Sequence, residues 1–464
     1  MISAKLISIG VPLNLLVAGW LSGHVLLYKR DVRAAIGWIG IIWLAPFVGS
    51  ILYFGFGISR VKRRAHRLMG IDRRVDVSAT REIESYEPIE RLKAAVGKIT
   101  GARVCAGRVV AILNCGDEAY PRMLAAINDA KHSVALSSYI FRADAAGSQF
   151  IDALVRAHRR GVTVRILVDG FGGGFLRSPV YHRLRAEGVA AARFLHSIWP
   201  WQMPLLDLRL HKKTLIVDER IAFIGGLNIG AENLDAAGGG VRDLHFMIEG
   251  SVVSQISDDF DEDWSFTTGE PRVGVIEPEP PIEDGQLART IVSGPDQETD
   301  QLVLVLISAL NLAERSIKIV TPYFLPDEAV ITALQLASLR GVKVDIVLPS
   351  VNNHRLVAWA MRPHIVPLLE SGCRVWRSRP PFDHTKLFTI DEKWSLIGSA
   401  NWDTRSLRLN FEITLEVYDE EFAQRLGQAI DMRRAEAVTL EELRRRPLLA
   451  KLRDAAARLA TPYI

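Results

Sequence analysis

One short pattern, H-x-K-x4-D, occurs twice in this chain and limits what it can fold into more than any other feature. The first copy is His211-Lys-Lys213-Thr-Leu-Ile-Val-Asp218, followed by Gly225-Gly226-Leu-Asn228; the second is His384-Thr-Lys386-Leu-Phe-Thr-Ile-Asp391, followed by Gly398-Ser399-Ala-Asn401. A single copy arises by chance in roughly one such chain in fifty. Two copies with the same G-x-x-N sequel, a domain's length apart, instead imply an internal duplication and a site that draws half of its groups from each copy.

The residues after each lysine are rich in branched apolar side chains, so each motif reads as the start of a strand. Residues i and i+2 of a strand share a face, which puts His211 with Lys213 and His384 with Lys386. Asp218 and Asp391 follow at an odd offset and face the other way; within the motif they read as turn and scaffold residues, not as acids or bases. A His-Lys pair suits a phosphoester. The imidazole attacks or moves a proton near neutral pH, while the ammonium groups and the polar side chains of Asn228, Ser399 and Asn401 hold phosphate oxygens. This chemistry requires no metal and no other cofactor.

The length of 464 residues fits two ordinary domains and an attachment. Residues 6–28 and 34–58 are apolar runs without Lys, Arg, Asp or Glu, each long enough to cross a bilayer as a helix. Pro12 and Pro46 are expected to kink them, and Trp20, Trp38, Trp43 and Tyr53 supply aromatic anchors. A cleaved signal peptide is the alternative for the first run, which is long for one and has no evident A-x-A site. The loop between the runs carries Lys29, Arg30 and Arg33, whereas the outer ends carry Lys5 and the cluster Arg60, Lys62, Arg63, Arg64 and Arg67. The heavier side goes inward, so everything after residue 60 is expected in the cytoplasm, with the cluster drawn to anionic headgroups. Three scattered cysteines, Cys105, Cys115 and Cys373, agree with a reducing compartment and exclude a disulfide framework. A net charge of +4 gives no clear nucleic-acid groove.

From about residue 103, strands and helices alternate, predicting a mostly parallel sheet with helices on its faces. The series recurs: residues 313–324 answer 130–141, and 340–348 answer 160–168. The expected organisation is a transmembrane hairpin at 1–60, a juxtamembrane connector at 61–100 with a short helix from Pro88 to Val96, a first half at 101–268, a Pro- and Glu-rich linker at 269–290, a second half at 291–446 and a tail at 447–464. Residues 440–459 read as one Arg- and Leu-rich surface helix. The loop Trp199-Pro-Trp-Gln-Met-Pro-Leu-Leu206 either meets lipid or packs on its own core. Asp169-Gly-Phe-Gly-Gly-Gly174 reads as a hinge or lid, because it lacks the spacing of a phosphate cradle.

These residues resemble the phospholipase D superfamily, and within it the bacterial cardiolipin synthases, over nearly the whole chain. The most specific parts are the two histidine motifs, Thr321-Pro-Tyr-Phe-Leu-Pro-Asp327, and Gly398-Ser-Ala-Asn-Trp-Asp-Thr-Arg-Ser406 continuing to Asn410-Phe-Glu412. One departure is Leu210-His211-Lys212, where the family commonly has Asn-His-Arg. The resemblance implies two duplicated α/β/α halves forming one pseudo-twofold catalytic unit behind a two-helix hairpin in the bacterial inner membrane. It implies phosphatidyl transfer between two phosphatidylglycerol molecules, giving cardiolipin and glycerol, with His211 as nucleophile and His384 as acid and base. It further implies carboxylates that orient the histidines across the halves: Glu412 for His211 and Asp243 for His384. For Asp243 a structural ion pair with Arg242 or Arg209 is the alternative. A phospholipase or nuclease using water, and a lipid-binding membrane protein without catalysis, remain as rival functions. The membrane hairpin disfavours a nuclease, and two intact His-Lys pairs disfavour a mere binder.

Overall fold

The computed structural model describes residues 2–29, 32–45, 47–54, 87–174, 177–196, 208–234, 240–272, 285–294 and 300–461. The basic cluster at 60–67, most of the connector, the loop at 199–206 and the Pro-rich centre of the linker lie outside them. The chain forms two compact units, Met1–Arg67 and Leu68–Ile464.

In the first unit, helix Ile2–Tyr28 is followed by helices Val32–Leu44 and Val48–Leu52. Ala18, Leu21, Val25, Ile42 and Tyr53 are buried between them, and His24 Nδ1 lies 2.8 Å from the Tyr53 hydroxyl. Leu16, Trp20, Leu26, Leu27, Ile36 and Leu44 face outward. Among the described residues, no helix is long and apolar enough to cross a membrane.

In the second unit, the strands of the first half are β1 (Cys105–Asn114), β2 (Ser133–Ser138), β3 (Thr163–Asp169), β4 (Ala190–Phe194), β5 (Thr214–Val217), β6 (Ile221–Gly225) and β7 (Leu244–Glu249). The second half supplies β8 (Gln286–Ser293), β9 (Ser316–Val320), β10 (Phe324–Leu325), β11 (Lys343–Pro349), β12 (Arg374–Ser378), β13 (Leu387–Ile390), β14 (Trp394–Gly398), β15 (Trp402–Asp403), β16 (Glu412–Tyr418) and β17 (Glu436–Val438). All except the pair β10·β15 belong to one sheet, in the order β17-β12-β11-β9-β13-β14-β16-β8-β1-β7-β6-β5-β2-β3-β4. Outward from the β8·β1 junction, both halves show the same arrangement, the second with β17 as an additional edge strand, and this is the duplication seen in the sequence.

The sheet is mixed, not mostly parallel. Only β2-β3-β4 and β9-β11-β12 run parallel, joined through helices such as Ala145–Arg159, which begins on the Asp144 carboxylate accepting from Gly147 N. Each motif strand turns straight back into the next one, β5 into β6 and β13 into β14, and a turn that short permits only antiparallel pairing. Among the described residues, one apolar cluster lies in each half, and further buried side chains, such as Phe246, Phe260, Phe411 and Phe422, lie outside both. Helix Pro88–Thr100, at the end of the stretch read as a connector, buries Leu92 and Val96 in the second half's core. The C-terminal stretch is two helices, Leu440–Arg445 and Leu448–Arg458, because Pro447 interrupts the expected single helix.

Candidate active site

Main-chain bonds between the halves bring the motifs together. Leu210 pairs with Phe411, and His211 N donates to the Phe411 carbonyl at 2.9 Å. On the other side Arg242 pairs with Asp383, and His384 N donates to the Arg242 carbonyl at 2.7 Å. Each histidine is therefore tied by its own backbone to the residue just before the opposite half's acid. The side chains follow: His211 Nδ1 lies 2.9 Å from the Glu412 carboxylate, and His384 Nδ1 lies 2.8 Å from Asp243 Oδ2. With each Nδ1–H donated to a carboxylate, each Nε2 keeps its lone pair. Both histidines, with Asn228 and Asn401, line one cavity of about 480 Å³.

The electrostatics follow from burial. Desolvation lowers His211 to about 4 and His384 to about 3, although Glu412 and Asp243 each pull the other way, so both rings are neutral at pH 7. Lys213 and Lys386 are buried as well, and desolvation brings them down to about 7 and about 8. Lys213 Nζ donates to the His211 carbonyl at 2.6 Å and lies over the Tyr139 ring, whereas Lys386 Nζ is 2.8 Å from His384 Nδ1. A phosphate anion in the cavity would favour the charged form of both lysines. Asn228 Oδ1 accepts from Ile140 N at 3.1 Å, which leaves its NH2 for the cavity. Asn401 is buried at the cavity wall, and its Oδ1 has no hydrogen-bond partner.

Asp218 and Asp391 do the same structural work in each half. Asp218 accepts from Lys131, His132 and Ser133 N at 2.7 to 2.9 Å, and Asp391 from Glu314, Arg315 and Ser316 N at the same distances. Each clasps the start of the neighbouring strand, with φ near +50° (52° and 54°) at the tight turn. Ser399, expected among the phosphate-binding groups, is turned away from the cavity. It is fully buried, and its Oγ donates to Glu412 at 2.6 Å. Its counterpart Gly226 is needed because a Cβ there would come within 2.2 Å of the Asp243 carboxylate. The expected hinge at 169–174 is a closed turn. Asp169 accepts from Phe171 N, Gly172 N and Leu210 N at 2.8 to 2.9 Å, so it anchors the residue before His211.

Residues that sequence reasoning missed include Tyr139, edge-on to His211 at 5.1 Å, and Tyr323, edge-on to His384 at 6.0 Å. Lys212, where the chain departs from the family pattern, is buried between Asp259 and Asp263 at 2.6 and 2.7 Å. Burial alone would discharge it, yet the two carboxylates hold its pKa above that of a free lysine. The alternating acids of helix Val252–Thr268 were the available signal for this contact.

The duplicated sheet and its paired half-sites are those of a phospholipase D-like protein. The chain belongs to the family described as cardiolipin synthase, PLD-like domain, whose model matches residues 123–264 and 306–433, one segment in each half. The cardiolipin synthase of Geobacillus kaustophilus (strain HTA426) is 30% identical over 94% of this chain and 90% of its own length. The major cardiolipin synthase ClsA of Bacillus subtilis (strain 168) is 30% identical over the full length of both. Cardiolipin synthase A of Pseudomonas putida is 32% identical over 95% of this chain and 94% of its own. Among solved structures, the phosphatidylserine synthase of Haemophilus influenzae Rd KW20 matches with a TM-score of 0.61 at 15% identity, covering 81% of this chain and all of that one, a likeness of fold alone.

Proposed function

We propose that the chain is a phosphatidyltransferase that joins two phosphatidylglycerol molecules into cardiolipin and releases glycerol. His211 Nε2 attacks phosphorus and the bond to the headgroup glycerol breaks; the departing alkoxide takes the Nε2 proton of the His384 imidazolium, a form that the bound phosphate anion and Asp243 favour and that His384 reaches by taking up a proton from solvent. His384 then takes the proton of a second lipid's glycerol hydroxyl, which attacks phosphorus as the P–N bond to His211 breaks. Lys213, Lys386, Asn228 and Asn401 hold the non-bridging oxygens. Glu412 and Asp243 fix the tautomers. The observation that carries this reading is the crossing of each histidine to the opposite half's carboxylate, which fixes both rings through Nδ1 and brings them to one cavity.

The same proposal includes residues 1–60 as a transmembrane hairpin in a bacterial inner membrane, with the catalytic halves on the cytoplasmic side. Two uncharged apolar runs, the distribution of basic residues around them, and the outward-facing leucines and tryptophan of the first unit support it. The partners are then phosphatidylglycerol and the bilayer. The test is to incubate the purified protein with phosphatidylglycerol and read the products by mass spectrometry. Cardiolipin and glycerol are expected in equal amounts, and His211→Ala or His384→Ala should abolish both. Phosphatidic acid as the main product would make the protein a hydrolase instead.

A further inference from the structure

A helix on the surface of a folded domain ordinarily buries its apolar stripe and shows its charges to water. The C-terminal helix Leu448–Arg458 does the reverse. It packs through Asp454 and Ala457, which are 3% and 5% exposed. Asp454 is the one acid in the helix, and Arg362, Arg446 and Arg453 hold it at 3.3, 3.0 and 2.8 Å. With about 3.6 residues per turn, Leu448, Leu452 and Leu459 stand together on the opposite face, beside Leu449, Ala455 and Ala456. The four leucines are between 56% and 81% exposed, and both alanines are exposed as well.

Charge frames this face. Lys451 and Arg458 border it on one side and Arg453 on the other. Arg453 is committed to Asp454 and to the Trp359 ring, whose centre is 4.3 Å from its guanidinium. Lys451 Nζ donates to the Arg444 carbonyl at 2.6 Å, and among the described residues neither Lys451 nor Arg458 meets a carboxylate. The occupant that suits exposed leucines bordered by uncompensated cations is an anionic lipid surface. A second copy of the chain suits the face poorly, for two reasons. A helix of 11 residues is about 16 Å long, so one face of it falls well short of the ~800 Å² that each partner of a stable dimer buries. Self-pairing would also set the same cations against each other.

We propose that this face of helix Leu448–Arg458 docks on an anionic bilayer surface, with the leucines at the boundary of headgroups and acyl chains and with Lys451 and Arg458 against lipid phosphates. The helix rests on helix Arg355–Glu370 through Arg362 and Trp359. That second helix starts at the cavity, where His354 and Val357 form part of the lining. The docked helix is thus one element away from the cavity wall, and the contact keeps the reacting groups near a lipid surface. It goes beyond phosphatidyl transfer and is measured without any turnover, so the two readings stand or fall separately.

The test puts a fluorophore on the face. Full-length protein carrying Leu452→Cys is labelled with nitrobenzoxadiazole and reconstituted in liposomes of phosphatidylglycerol and phosphatidylcholine, the latter with or without bromine on its acyl chains. Labelled protein without the substitution gives the background of Cys105, Cys115 and Cys373. Leu448→Cys, one turn earlier and 71% exposed at the leucine, takes its place if Leu452→Cys does not fold. Brominated lipid is expected to quench most of the emission that the substitution adds. Lys451→Gln and Arg458→Gln are each expected to weaken docking about fivefold, read as lost quenching, and added salt should act in the same direction. Emission that brominated lipid leaves unchanged overturns the proposal; if that emission also shifts to the blue as protein concentration rises, the face belongs to a second copy. Quenching that survives both Gln substitutions together and the omission of phosphatidylglycerol overturns the choice of an anionic surface.

Discussion

Each imidazole is neutral at pH 7, and its orientation depends on a single carboxylate. Glu412 is itself held by Ser399 Oγ at 2.6 Å and by Asn410 Nδ2 at 3.3 Å, so its position is fixed before substrate arrives. Glu412→Gln offers an amide N–H where Nδ1–H needs an acceptor, and kcat for cardiolipin formation should fall about 10²- to 10⁴-fold with the melting temperature little changed. Gly226→Ala should act the same way on the other histidine, because its Cβ displaces the Asp243 carboxylate from His384. The pH profile of kcat/KM reports the free enzyme. Protonation of His211 removes the nucleophile as pH falls towards about 4, and discharge of the lysine pair removes activity as pH rises through about 7 to 8. Lys213→Arg, which stays charged, should move the alkaline limb upward; a limb that does not move would mean that another group sets it.

At the scale of strands and turns, the motif aspartates are structural clasps. Asp218→Ala removes the acceptor for three main-chain N–H groups at the start of β2 and should cost about 2 to 3 kcal/mol, read as a lower melting temperature, with a smaller loss of kcat than any histidine variant. The sequence revealed this role because an odd offset from the histidine points the side chain away from the site. The apolar surroundings of Glu412 and Asp243 marked them as candidate acids, but it was the family resemblance that implied their crossing, and the structure shows it. What local patterns did not reveal depends on neighbours far along the chain. Alternating strands and helices suggested parallel pairing, but the motif strands pair through tight turns. Ser399 looked like a phosphate ligand by its place in the motif, whereas the longer reach of Glu412 draws its hydroxyl inward. The glycines at 170–174 suggested a hinge or lid, and the pattern did not show that Asp169 ties this turn to Leu210, the residue before His211.

At the scale of the molecule, one sheet runs through both halves across the antiparallel pair β1·β8, and the site lies where the halves meet. Pieces ending near residue 272 and beginning near residue 285 should each be inactive alone, and co-expressed they should copurify and regain cardiolipin formation. Activity in either piece alone would refute a shared site. The hydrogen bond from His211 to Glu412 spans 201 residues of sequence. During synthesis, the nucleophile leaves the ribosome long before the acid that orients it. A first half made alone has a histidine without its tautomer fixed and no second histidine beside it. The His211 half-site thus stays incomplete until residue 412 has been made.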